Sequence, residues 1–78
     1  MADKEKKAYL DMFRLSCEQY YFALYDFRIE SAELSRRRER INTLYDMRIL
    51  FGVDFSELSS IERSIWEKND KEYKHKIA

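Results

Sequence analysis

Residues 9–34 read YLDMFRLSCEQYYFALYDFRIESAEL, and this stretch decides the fold. Leu10, Phe13, Cys17, Tyr20, Leu24 and Phe27 recur in it at alternating steps of three and four, and Ser31 and Leu34 continue the series. That spacing places them on one side of a helix. Around residues 20–29 the pattern overflows. Tyr21, Phe22, Tyr25 and Ile29 point away from the first stripe and give the helix a second apolar face. A helix that is apolar nearly all round is a buried one, and one neighbour cannot cover both faces.

Working back from this stretch, Asp11, Arg14 and Glu18 lie opposite the stripe. Lys7–Asp11 and Arg14–Glu18 are opposite charges four residues apart, each adding about 0.2–0.5 kcal/mol at most. Residues 1–7 form a polar lead-in, and both 1–7 and 74–78 are expected to fray. Working forward, Ser31 suits a helix cap, with Glu33 placed to favour the positive end of a new helix. A turn is therefore expected near Ser31. The alternative, an unbroken helix to Phe51, would be about 70 Å long, too long for one short partner helix to cover.

The next helix is expected to reach Phe51. Leu34, Ile41, Leu44, Tyr45 and Phe51 share its stripe with Arg37 and Arg48, whose stems can pack while their heads reach the rim or stack on a tyrosine. Gly52, the only glycine, suits the left-handed position just past a helix end. Asp54 with Glu57 reads as a capping box, and Val53 with Leu58 as the matching hydrophobic staple. A helix–turn–helix hairpin at Gly52 follows. The last helix carries Phe55, Leu58, Ile61, Ile65, Trp66 and Tyr73 on one face. Arg63–Glu67, Glu67–Lys71, Asp70–Lys74 and Glu72–Lys76 lace its outside.

With no proline and one glycine among 78 residues, the expected fold is all-α. It is a single domain over 1–78, a short bundle of two or three helices completed by dimerisation. A chain this short buries roughly 60–65% of its unfolded surface, so its own core is thin, and disulfides, metals or partner chains are the usual remedies. Cys17 is the only cysteine, which leaves no intrachain disulfide and suits a reducing compartment. Fifteen basic and fifteen acidic residues cancel, so there is no global attraction to nucleic acid or anionic lipid. Tyr20–Tyr25 is the longest apolar run and is far too short to span a bilayer. No apolar segment of signal-peptide type follows Met1–Lys7. The expected location is the cytoplasm, or a host cell's cytoplasm.

Catalytic chemistry is sparse in this sequence. One glycine excludes a phosphate-cradling loop, and one Cys and one His do not make a zinc site. Glu72 and His75 have the Glu-x-x-His spacing that di-iron bundles use twice beside two further glutamates. Set among lysines, the pair reads as solvated. Cys17, on the apolar stripe, reads as a small core residue, not a reactive thiol. No catalytic residue, cofactor or metal is assigned.

Arg36, Arg37 and Arg40 fall within about a third of the helix circumference, while Arg38 points elsewhere, beside Glu39. The cluster reads either as a solvated surface with an Arg37–Glu33 pair or as a contact for something acidic. The opening Lys4-Glu5-Lys6-Lys7-Ala8, with Leu10 and Met12, is similar to the start of small plasmid RNA-binding helical-hairpin dimers. The aromatic core behind it departs from that pattern, and no residue role carries over.

The expected function is therefore that of a small non-catalytic protein-binding adaptor or inhibitor that occupies a surface of a target protein. A phage or mobile-element source suits the small size. The contact residues are expected to be Tyr21, Phe22, Tyr25 and Ile29, with Arg36, Arg37 and Arg40 at their rim, because exposed aromatic patches mark interfaces. The expected partners are a second copy of the chain and an unidentified protein. The alternative is a nucleic-acid-binding regulator that uses the three arginines.

Overall fold

The computed structural model describes residues 3–26 and 28–77, with side chains as far as Lys74. The molecule is all-helical. Helix α1 spans Asp3–Leu24, α2 spans Ser31–Met47 and runs on into a 3₁₀ turn at Arg48–Phe51, and α3 spans Phe55–Ile77. Helix α1 runs antiparallel to α2: Tyr9 donates its hydroxyl to the Leu44 carbonyl, while Gln19, further along α1, meets Arg37 and Arg40. It runs parallel to α3, since Tyr21 meets Glu62 and Tyr25 meets Asp70. The assembly measures 46 × 25 × 18 Å. No helix among the described residues is long and apolar enough to cross a membrane.

Helix α1 begins earlier than its charged start suggests. Asp3 and Glu5 sit in its first turn, where negative charge complements the helix dipole, and Lys4–Ala8 are strong helix formers. The helix also ends earlier than the stripe suggests. The chain breaks between Leu24 and Ser31, so the turn expected near Ser31 lies just before it, and Asp26 makes the turn. Its amide donates to the Ala23 carbonyl at 3.0 Å, and its own carbonyl accepts from Ile29 N at 3.1 Å. Its carboxylate accepts from the Arg28 amide at 3.0 Å and pairs with the Arg28 guanidinium. An aspartate that bonds the backbone two residues on competes with the helix and turns the chain.

Tyr25 and Ile29 consequently lie in the connection, not on a helix face. Phe27, which the stripe includes, lies outside the described residues. Glu30, in extended backbone, precedes the first turn of α2 without a side-chain cap bond. Ser31 is already helical, so it is not the cap.

The other connection is made by Gly52. Val53 N donates to the Arg48 carbonyl at 3.0 Å and Gly52 N to the Ile49 carbonyl at 3.3 Å, the two bonds of a Schellman ending. Gly52 holds φ at +65°, and a Cβ added there would meet nothing within 4 Å. Only backbone strain then opposes substitution. Gly52→Ala should cost about 1 kcal/mol, a fall of about 4–8 °C in Tm, and Gly52→Asn less, because asparagine tolerates the left-handed region. A thermal melt in which the two variants lose equally would contradict this account. Beyond the turn, Val53 and Leu58 are both buried in one cluster, which fixes the start of α3 at Phe55.

That cluster is the core: Tyr9, Phe13, Cys17, Ile41, Leu44, Val53 and Leu58. Phe13 meets Tyr45 edge-on at 5.2 Å and Tyr9 stacks on Phe51 at 4.5 Å. The buried line of α1 is Tyr9, Phe13, Ser16, Cys17 and Ala23, which differs from the stripe read from sequence. Leu10 and Tyr20 are only half-buried and Leu24 is exposed, because α1 is wedged between two helices and the covered sector follows both. On α3, Phe55 and Trp66 are exposed. Phe55 lies against the Tyr45 ring and under the Arg48 guanidinium, not in the core.

Candidate docking surface

One polar cluster ties the three helices together. Glu62 of α3 faces inward with its side chain 14% exposed. Its Oε2 accepts from the Tyr21 hydroxyl of α1 and from Arg38 Nη1 of α2, each at 2.5 Å. Its Oε1 accepts from the Tyr45 hydroxyl of α2, also at 2.5 Å. Burial alone would raise the Glu62 carboxyl, but the bonds from Tyr21, Tyr45 and Arg38 outweigh it and hold the group below the usual carboxylate range. Burial, then the bond to Glu62, pushes both tyrosine hydroxyls up.

Arg38 also lies over the Tyr20 ring, 5.6 Å from its centroid. Arg38, set apart from the other three arginines in the sequence, is thus the one that reaches Glu62. Its spacing was a readable signal: Leu34, Arg38, Ile41 and Tyr45 step by four, three and four. Glu62 fits between Leu58 and Ile65 in the same way. A shallow groove of about 440 Å³ opens beside the cluster, between Asn42, Asp46, Phe55 and Ser59. Both Glu62 oxygens are already engaged in accepting, so the carboxylate is a fastener between helices.

The predicted contact residues divide. Tyr21 is half-buried on Glu62. Tyr25 donates to Asp70 at 3.1 Å and stacks on Tyr73 with ring centroids 4.6 Å apart. Ile29 is half-buried in the connection. Phe22 alone of the four is open, at 64% exposure. Arg36 and Arg37 both pair with Glu33, at 3.2 and 3.0 Å. The bond from Arg37, with the neighbouring arginine charges, holds the Glu33 carboxyl below its ordinary range. Arg37 also donates to the Gln19 carbonyl at 3.0 Å, and Arg40 to Gln19 Oε1 at 3.3 Å. Arg37 and Arg40 therefore sit on Gln19 at the α1–α2 seam, while Arg36 meets Glu33 on its own helix.

The free surface they border is a stripe of α1 that the sequence reading did not pick out. Glu5, Ala8, Met12, Leu15, Gln19 and Phe22 alternate at steps of three and four and are all exposed, with Met12 and Leu15 at 57% and 53%. That is the spacing of a coiled-coil seam. It was hidden because the core stripe and this one interleave along one helix. Toward the N-terminal end the stripe runs into an apolar groove of about 240 Å³, lined by Ala8, Tyr9, Met12, Leu44, Met47 and Phe51 with Glu5 at its mouth.

Cys17 is fully buried, and burial, reinforced by the Glu62 charge, pushes its thiol up to about 12; a nucleophilic thiol needs the opposite shift. No group of three metal-type ligands occurs among the described residues, and Glu72 is exposed while the His75 side chain lies outside them. No protein-family model matches the sequence, and comparisons with curated proteins and with solved structures find no match.

Proposed function

We propose that this chain is a small, non-catalytic protein-binding module, an adaptor or inhibitor that occupies a surface of its target with the outer stripe of α1. Met12, Leu15 and Phe22 are the anchors, and Arg36 and Arg40 stand at the edge. The observation that carries this reading is the alignment: three large apolar side chains stay open at seam spacing on a helix whose opposite side is buried. Scattered apolar residues are ordinary on a surface, whereas a contiguous stripe running into an apolar groove marks an interface. The nucleic-acid reading ranks second, because all three arginines already have partners within the chain.

A photo-cross-linking residue placed at Leu15 in cells tests this reading, with one at Arg63, on the outside of α3, as control. The expected result is protein adducts from position 15 and none from 63. No adduct from either position defeats the proposal. Adducts to nucleic acid, with steeply salt-dependent binding lost when Arg36, Arg37 and Arg40 are neutralised, select the second reading.

A further inference from the structure

We infer that an occupant of the α1 stripe is a second copy of this chain, laid antiparallel across it, with Phe22 of each copy in the apolar groove of the other. This rests on the docking reading above and gives that surface its partner. A symmetric pair needs a surface that complements itself, so that each residue meets what its partner residue meets. Laid antiparallel, the stripe meets that condition. With the two-fold axis level with Phe13 and Arg14, Met12 faces the partner's Leu15. Ala8 faces the partner's Gln19. Phe22, the largest open side chain, arrives beside Glu5 and Ala8, where the groove opens between Met12, Met47 and Phe51. A large side chain thus meets the small residue and the hollow beside it.

The charges beside the stripe favour the same direction. Lys4, Lys7, Asp11, Arg14 and Glu18 are exposed along one flank, and none of them is in an ion pair among the described residues. Reversal of the helix brings Lys7 near the partner's Glu18 and Asp11 near the partner's Arg14. In a parallel two-fold pair the same flanks lie on opposite sides of the seam, so these charges would have no such partners. On the other flank, the partner's Glu5 arrives near Arg40. The seam from Glu5 to Phe22 is about 26 Å long, which is short for a helix pair, so the dimer is expected to dissociate in the micromolar range.

Light scattering and sedimentation from about 1 μM to about 1 mM should show the mass rising toward twice 9.6 kDa. Phe22→Lys and Leu15→Lys should each hold the chain monomeric, with the dissociation constant raised at least tenfold and an unchanged far-ultraviolet circular dichroism spectrum. With benzoylphenylalanine at position 22, the cross-link should map to residues 5–12 of the other copy. A single-chain mass throughout overturns the inference. So does a dimer indifferent to both lysine variants, or a cross-link mapping to residues 18–22. A single-chain mass together with adducts to other proteins from position 15 leaves the docking surface standing and removes only its self-pairing.

Discussion

Phe13→Ala should remove a large fraction of this chain's folding stability. Phe13 is fully buried in the core cluster, in contact with Tyr45 across the α1–α2 seam. Truncation of such a ring costs about 3–5 kcal/mol, part lost transfer energy and part cavity. A domain of this length has about 4–12 kcal/mol in total at 0.05–0.15 kcal/mol per residue. The core holds seven residues, so little remains to collapse into the gap. Phe22→Ala, the same change on the same helix at a position 64% exposed, should shift monomer stability by less than about 0.5 kcal/mol. Urea melts of the two variants at low concentration provide the check. Equal losses would mean that α1 presents the wrong face to α2 and α3.

The contrast between those two phenylalanines shows what was legible in the sequence. Absence of proline, a single glycine and long three-four spacing indicated helices without ambiguity. Gly52, Val53 and Leu58 marked the second connection because a left-handed position and a staple are set by neighbours in the chain. Asp26 was as informative, but its turn was masked by the aromatic residues around it, which extended an apparent stripe through a break. Which of two interleaved stripes on α1 is buried is not a local property. Tyr9, Phe13 and Cys17 are covered because Leu44 and Leu58 share their cluster, and Met12, Leu15 and Phe22 stay more than half exposed.

Arg38 and Glu62 were hard to read for a further reason. A charge on an apolar stripe is normally an outward-bent stem, and only the matching charge on another helix, 24 residues away, turns it inward. Tyr21 and Tyr25 illustrate the same limit from the other side. Their hydroxyls have carboxylate partners 41 and 45 residues later in the chain, which ties both residues to α3 and leaves Phe22 as the most open of the four.

The second large effect is expected at Glu62. Glu62→Leu removes the acceptor for one guanidinium and two hydroxyls at once. Arg38 would be left half-buried without a counter-charge. A fully buried pair broken this way costs about 3–5 kcal/mol, and the partial exposure of Arg38, 37% of its side chain, reduces the expected loss to about 2–4 kcal/mol. Removal of both charges, as Arg38→Met with Glu62→Leu, should recover part of the loss, since the remaining groups then face no orphaned ion.

The pH dependence follows with a definite sign. The Glu62 carboxyl is held low in the folded chain, so its contribution is complete above the unfolded carboxyl pKa of about 4.3. It fades as pH falls through the folded value. Tyr21 and Tyr45 are pushed up, so their contribution is complete below about pH 10 and fades as pH rises through their folded values. Stability should therefore hold level through the neutral range and fall on both sides. Glu62→Gln should flatten the acid limb, lose about 1–3 kcal/mol at neutral pH, and soften the alkaline limb, because the raised tyrosines lose the charge they face. A variant that kept the acid limb unchanged would place the titrating carboxylate elsewhere.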